Sequence, residues 1–259
     1  MNNTGQKTAL ITGASSGVGV EFAKQLADRG FDLVLAARRM ERLEQVREEI
    51  SQSHDVKIVL LGCDLAAENG VEQLVASTAG FEFDIVVNNA GLGIYRPALE
   101  HTDQEIDNMI AVNLRSLTFI TKAFAEKMVA RGSGRILNHA SIAGIHPSPW
   151  YSVYSGTKSY VVQFSTTLNH ELRSTGVTVT TLCPGFFRSE FQQKSGRKPG
   201  AMGRKFILEA DQVARAGLKG AFRGQSIVIP GIKYKLLNVL IRLFPRSLTM
   251  RAADWLVHS

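Results

Sequence analysis

Along its first two thirds the chain alternates short runs rich in Val, Ile and Leu with longer segments of helical period, and this alternation limits the fold most. The apolar runs fall at residues 8–11, 32–36, 57–61, 85–87, 135–139 and 178–182, with a later one at 226–229. A strand with one wet face would alternate apolar and polar residues; these runs do not, so they read as strands covered on both faces. The segments between them, 18–29, 42–51, 70–79, 103–130, 154–174 and 211–221, carry helical periodicity. Repeated strand–helix–strand units imply right-handed crossovers between parallel strands. The expected fold class is therefore α/β, a single doubly wound parallel sheet of about seven strands with helices on both faces. No linker, internal repeat or low-complexity tract interrupts the 259 residues, so one domain spanning 1–259 is expected.

Composition closes off several alternatives. With 44% hydrophobic and 20% charged residues, the chain is no disordered polyelectrolyte. Its two cysteines, Cys63 and Cys183, each sit in an apolar run, which excludes a disulfide scaffold. No Cys/His cluster has metal-ligand spacing, so no metal is expected. No apolar stretch reaches the ~18 residues of a membrane-crossing helix, and residues 1–7 lack the apolar core of a signal peptide. A reduced, cytoplasmic protein is the expectation. The net charge of +7 is unevenly spread: residues 1–187 carry 16 basic and 19 acidic side chains, residues 188–259 carry 14 and 4. A basic tail suits nucleic acid, an anionic surface, an anionic ligand or simply solvent. This one has no aromatic interleaving and no nucleic-acid module, so nucleic acid is not expected.

The first apolar run leads directly into Thr12-Gly13-Ala14-Ser15-Ser16-Gly17-Val18-Gly19 and then a helix. Gly13 permits a tight turn, Gly17 lets backbone approach a phosphate, and Gly19 lets the helix pack on the sheet. With Ser15, Ser16 and Val18 they form a loop whose N–H groups would hold a pyrophosphate at the helix N-terminus. The spacing G-x-x-x-G-x-G departs from the common dinucleotide pattern G-x-G-x-x-G. The second run ends Ala36-Ala37-Arg38-Arg39, with no carboxylate until Glu41. An acidic residue there would bind a ribose 2′-hydroxyl and repel a 2′-phosphate, whereas Arg38 or Arg39 can pair with the phosphate. That favours NADP(H) over NAD.

Further along come Asn88-Asn89-Ala90-Gly91, Asn113, Ser141, Tyr154-x-x-x-Lys158 and Pro184-Gly185, in that order. With the glycine loop, these residues resemble the short-chain dehydrogenase/reductase family, Rossmann-like NAD(P)(H)-dependent oxidoreductases, over residues 7–231. Tyr154 and Lys158, four apart on a helix, share a face. A free phenol titrates near ~10, too high for acid–base work at neutral pH, and an adjacent ammonium lowers that value. Tyr154 is thus expected to donate the proton to the alkoxide formed when a carbonyl is reduced, with Ser141 hydrogen-bonding the same oxygen. Tyr151 lacks a lysine four residues on and is no rival. The resemblance further implies that Lys158 holds the nicotinamide ribose and that Asn113 anchors a water linking Lys158 to solvent. It places Asp64 and Leu65 at the adenine, Asn89, Ala90 and Gly91 along the ribose, and Pro184, Gly185, Phe187 and Ser189 toward the carboxamide. Asp64 reads equally as a helix N-cap. His54, His101, His139, His146 and His170 show no partner spacing and are taken as structural or solvated.

The substrate is expected over the nicotinamide, among Ile145, Pro147, Pro149, Trp150 and Tyr151 on one side and Phe186, Phe187, Phe191, Met202 and Phe206 on the other. That lining suits a bulky apolar ketone or 3-oxoacyl compound. Lys194, Arg197, Lys198, Arg204 and Lys205 form a basic segment suited to an anionic acyl carrier or coenzyme. In the extension 232–259, a helix-like run at 232–244 sets Lys235, Asn238, Arg242 and Arg246 in one polar stripe against apolar remainder, with Pro245 ending the helix. Thirteen helical residues span ~20 Å, too short to cross a bilayer. A lid over the cleft, a subunit contact and an in-plane membrane anchor all remain open. The functional expectation is an NADPH-dependent carbonyl reductase, a homodimer or homotetramer joined through the apolar faces of 103–130 and 154–174. The alternative is a catalytically silent NADP(H)-sensing regulator, which would be expected to lack Tyr154, Lys158 or Ser141.

Overall fold

The computed structural model describes residues 5–146, 148–191, 195–196 and 207–258; for Arg246, Ala252 and 255–258 it describes the backbone alone. In chain order the elements are β1 (Thr8–Thr12), α1 (Val18–Ala27), β2 (Asp32–Ala37), α2 (Met40–Ser51), β3 (Ile58–Gly62), α3 (Gly70–Ser77), β4 (Ile85–Asn88), α4 (Asp103–Ile110), a π-helical turn (Ala111–Ser116), α5 (Leu117–Arg131), β5 (Gly134–His139), α6 (Ser152–Glu171), β6 (Val177–Leu182), α7 (Ala210–Phe222), β7 (Ile227–Val228), α8 (Ile232–Arg242) and α9 (Arg246–His258).

The seven strands form one parallel sheet in the order β3-β2-β1-β4-β5-β6-β7. Strand alternation explains why the apolar runs are unbroken. Leu10, Val34, Val86 and Ile136 pack into the layer with Ile120 and Phe124 of α5. Ile11, Leu35, Val87 and Leu137 pack into the opposite layer, with Phe22 and Leu26 of α1 and Leu218 of α7. Each fully buried aliphatic side chain contributes about 1.5–3 kcal/mol, and both faces of every central strand draw on it.

Polar residues also reach the core where they can be satisfied. Asn138 of β5 accepts from Asn88 Nδ2 at 2.8 Å and Thr121 Oγ1 at 3.2 Å, and its own Nδ2 donates to Ser165 Oγ at 2.9 Å. This buried cluster fastens α5 and α6 to the middle of the sheet, behind the site described below.

Three elements differ from the periodicity. Residues 103–130 are interrupted by the π turn, which inserts one extra residue in the helix and holds Asn113. The last strand is only two residues long. Beyond Pro245 the chain resumes as α9, so the extension 232–259, expected to be helical, is two helices broken at the proline.

Candidate active site

The strand order runs outward in opposite directions from β1 and β4, and the loops leaving these two strands part to form a crevice at the carboxyl edge of the sheet. The β1 loop is the glycine segment. Gly13 and Gly17 take φ of 65° and 57°, a region side chains disfavour. A Cβ on Gly13 would lie 2.8 Å from Ala90 Cα, and one on Gly19 would lie 2.2 Å from Gly13 O. Gly19 is therefore required for packing, as its place in the motif suggested. The β4 loop is tied to it by Asn89, whose Nδ2 donates to Thr12 O and Gly13 O, both at 3.1 Å, while Thr12 Oγ1 accepts from Asn89 N and Ala90 N. The N-cap of α1 is Gly17, so no side chain of the cap satisfies the first N–H groups of that helix. That leaves donors for an anion at the end of the crevice.

One cavity of about 330 Å³ runs from this loop to α6. It is lined by Gly13, Ser15, Ser16, Gly17, Val18, Arg38, Arg39, Asp64, Leu65, Asn89, Ala90, Gly91, Ser141, Tyr154, Lys158, Pro184, Gly185, Phe187 and Ser189. Two of the expected site residues lie outside it. Gly19 sits in the helix beneath the loop. Asn113 is fully buried behind Gly91, donating to Leu92 O at 2.8 Å and Thr157 Oγ1 at 2.9 Å and accepting from Leu92 N at 2.8 Å. Its amide thus braces the wall of the crevice against α6.

At the adenine end, Arg38 is exposed and makes no ion pair among the described residues. Arg39 crosses to Glu190, with Nη1 3.2 Å from the carboxylate, and its Nη2 donates to Ser15 Oγ at 3.4 Å. The two arginines therefore differ: one is open to a ligand, the other bridges the walls. Asp64 is not an N-cap. Its carboxylate accepts from Ala66 N at 3.0 Å, and α3 starts six residues later, at Gly70, with Asn69 as its N-cap.

At the other end Tyr154 and Lys158 occupy the first two turns of α6, 6% and 3% exposed. Lys158 Nζ donates to His139 O at 2.7 Å and lies 5.8 Å from the Tyr154 ring centre. Burial pushes the ammonium down to about 8. The Cys183 thiol beside it is pushed up to about 12, also by burial, and stays neutral. Ser141 Oγ accepts from Ala143 N at 3.1 Å, capping the short turn that follows β5, while the residue itself lines the cavity.

The apolar wall is only partly as expected. Tyr151, Phe186, Phe187 and Phe191 line the cavity, whereas Ile145 packs against the buried cluster that includes Val161, Val162 and Tyr234. Trp150, at φ 62°, turns away, its Nε1 donating to Asp254 Oδ1 of α9 at 3.0 Å. Pro149 lines the same outer recess. Pro147, Lys194, Arg197, Lys198, Met202, Arg204, Lys205 and Phe206 lie outside the described residues.

One contact and one contributor were missed. Tyr151 stacks on Tyr154 with ring centres 4.3 Å apart, a pairing that their i, i+3 spacing before and into a helix makes possible. His139, read as structural, lines the cavity. Burial, and secondarily the charge of Lys158, drive its imidazole down to about 3. It is therefore neutral, and because Asn89 spends its amide hydrogens on two carbonyls, His139 Nδ1 donates to Asn89 Oδ1 at 2.9 Å, leaving Nε2 as an acceptor. Its position at the carboxyl end of a central strand, two residues before Ser141, was the available signal. Of the other histidines, His54 pairs with Asp28, His101 with Arg96 O and His146 with Asn238.

Residues 7–200 match the family described as short chain dehydrogenase. The chain is 33% identical to very-long-chain 3-oxoacyl-CoA reductase-B of Danio rerio over 197 residues, 74% of this chain and 63% of that one, so it spans under two thirds of that relative. It is 30% identical to a 3-oxoacyl-(acyl-carrier-protein) reductase of Rickettsia prowazekii over 192 residues, 74% of this chain and 77% of that one. Among solved structures, a short-chain dehydrogenase from Sphingobium yanoikuyae in complex with NADPH superposes with a TM-score of 0.81 at 30% identity, covering 91% of this chain and 94% of that chain. A glycine loop, a Tyr–Lys pair and a serine on one crevice, in a sheet of this order, agree with those likenesses: the chain belongs to the short chain dehydrogenase family of oxidoreductases.

Proposed function

We propose that the chain is an NADP(H)-dependent carbonyl reductase, interconverting a carbonyl and a secondary alcohol on a bulky apolar ketone or 3-oxoacyl compound. The observation that carries this reading is that one continuous cavity joins the uncapped α1 N-terminus to Tyr154, Lys158 and Ser141. Its residues fit a dinucleotide: N–H donors for a pyrophosphate beside Gly17, and an open guanidinium on Arg38 with no carboxylate at the end of β2. The nicotinamide, when bound, supplies or accepts the hydride.

The chain's own residues do the rest. Tyr154 gives its phenolic proton to the carbonyl oxygen as charge develops there, and Ser141 donates a hydrogen bond to the same oxygen. Lys158, charged below about pH 8, favours loss of that proton and would hold the nicotinamide ribose. Asn113 steadies the β4 loop and the helix that carries the pair. Tyr151, Phe186, Phe187 and Phe191 shield the reacting atoms from water and give the pocket its apolar selectivity. The buried, free Cys63 and Cys183 suit a reduced, cytoplasmic setting. A homodimer or homotetramer through α4, α5 and α6 fits the exposure of Ile110, Phe119 and Tyr160 there. The whole chain, 1–259, acts in this reading as one domain, and relatives named for 3-oxoacyl substrates support the acyl option.

The test is NADPH and NADH consumption across aromatic ketones, steroids and 3-oxoacyl esters, with Tyr154→Phe as control. The expected result is NADPH-dependent turnover on bulky substrates that Tyr154→Phe lowers ~10²–10⁴-fold while leaving NADPH binding intact. NADPH binding with no turnover and no effect of Tyr154→Phe would instead establish the silent sensor.

A further inference from the structure

The two helices that end the chain turn the wrong way round for a buried amphipathic pair. On α8 the side packed against the body is polar at its anchors: Tyr234 OH accepts from Phe186 N at 2.7 Å, and Asn238 Oδ1 lies 3.0 Å from His146 Nε2. The opposite side carries Ile232, Leu236, Val239, Leu240 and Leu243 at i, i+4, i+7, i+8 and i+11, one continuous stripe along the helix. All five are 53–74% exposed. Leu248 and Met250 of α9 are exposed as well. Lys235 and Arg242 border the stripe on one edge and Lys233 on the other, all exposed. From residue 232 onward the sequence holds five basic side chains and a single acid, Asp254, which receives the Trp150 indole N–H.

We propose that this face docks on an anionic lipid surface, with α8 lying in the plane of the headgroups. The charges select this occupant over a second copy of the chain. A two-fold contact through the stripe would set its basic borders opposite one another, with no free acid in the segment to receive them. Phosphate and carboxylate headgroups receive them directly, while the stripe enters the acyl boundary. Neither α8 nor α9 is long and apolar enough to cross a membrane, so the contact is peripheral. The inference stands on the helix pair and does not depend on the reaction proposed above.

Sedimentation of the full chain with phosphatidylcholine vesicles, and with vesicles of phosphatidylcholine and phosphatidylserine at about 3:1, tests it. The expected result is binding at least about tenfold tighter to the anionic vesicles, weakened by salt and abolished in Leu240→Glu/Leu243→Glu. Both positions are exposed, so circular dichroism and NADPH binding of the variant should match wild type. A chain that stays in the supernatant with both vesicle types overturns the proposal. So does a variant that keeps its vesicle binding, or one whose only change is conversion of a larger oligomer to a smaller one in sedimentation velocity.

Discussion

Raising the pH from ~7.5 to ~9.5 should stabilise the wild-type fold by about 2 kcal/mol relative to Lys158→Met. Lys158 is 3% exposed, its Nζ donates to one carbonyl at 2.7 Å, and no carboxylate among the described residues pairs with it. Among its titratable neighbours His139 is driven down to about 3, and Cys183, pushed up to about 12, acts against the shift of the ammonium but is outweighed by burial. Burial therefore dominates and takes the ammonium from 10.5 to about 8. That drop is equivalent to about 3 kcal/mol of penalty for carrying the charge in the folded state. The penalty is complete below pH ~8, where folded and unfolded chains both hold the proton. It shrinks between ~8 and ~10.5, where only the unfolded chain still holds it, and is gone above. Stability therefore rises with pH across this window because the unfolded state binds more protons. Methionine, unbranched and uncharged, fills the space without titrating. Urea unfolding of the cofactor-free protein at the two pH values, followed by circular dichroism, isolates the effect as the wild-type minus variant difference. A difference that stays flat would mean that Lys158 titrates alike in both states. One that falls with pH would mean an ion pair holds the ammonium, and either result refutes the reasoning. The same ionisation should appear in activity, with kcat/KM for reduction falling above pH ~8 as the neutral amine ceases to favour the Tyr154 phenolate.

Gly19→Ala should lower stability by about 1–3 kcal/mol and weaken NADPH binding, because its methyl would meet Gly13 O at 2.2 Å; thermal unfolding with and without NADPH measures both, and an unshifted midpoint would mean the loop is freer than it looks. Arg38→Asp should raise the KM for NADPH about 10- to 100-fold and leave that for NADH unchanged or lower, the loss of one charge-assisted contact; an unaltered cofactor ratio would remove Arg38 as the determinant. Asn138→Leu should cost about 1–3 kcal/mol by removing the acceptor of the Thr121 hydroxyl and of one Asn88 Nδ2 hydrogen and the donor to Ser165 Oγ in the core, detected as a lower urea midpoint at unchanged slope.

What could be read from the chain before its structure depended on whether the signal was local. The strands were legible because Leu10 and Ile11 must both be apolar when each face of β1 is covered, as in parallel α/β sheets. The glycine loop was legible because backbone demands there are set within eight residues: a positive φ at Gly13 and Gly17, and no room for a Cβ at Gly19. Arg39 shows the limit of that locality. Its neighbour Arg38 has the same composition and the same expected role, yet Arg39 is drawn to Glu190, 151 residues away, a pairing that only the closed crevice creates. His139 was missed for the same reason. A lone histidine in a strand carries no partner in sequence, and its neutrality comes from burial and from Lys158, nineteen residues on.

The last helices expose a deeper ambiguity. Helical periodicity reports that α8 has an apolar face and a polar one, but the period is identical whether the apolar face turns in or out. The usual inference, apolar inward, holds when the polar face has no better partner than water. Here it does: the backbone N–H of Phe186 and the ring of His146 offer Tyr234 and Asn238 specific hydrogen bonds at the wall of the crevice. Had the helix rotated to bury Leu236, Leu240 and Leu243, those two groups would have been left without their partners in a buried place, at about 1–3 kcal/mol each. In the proposal above, an anionic lipid surface receives the exposed leucines. The basic residues along both edges of the stripe therefore matter more than its hydrophobicity, because they determine what can approach it.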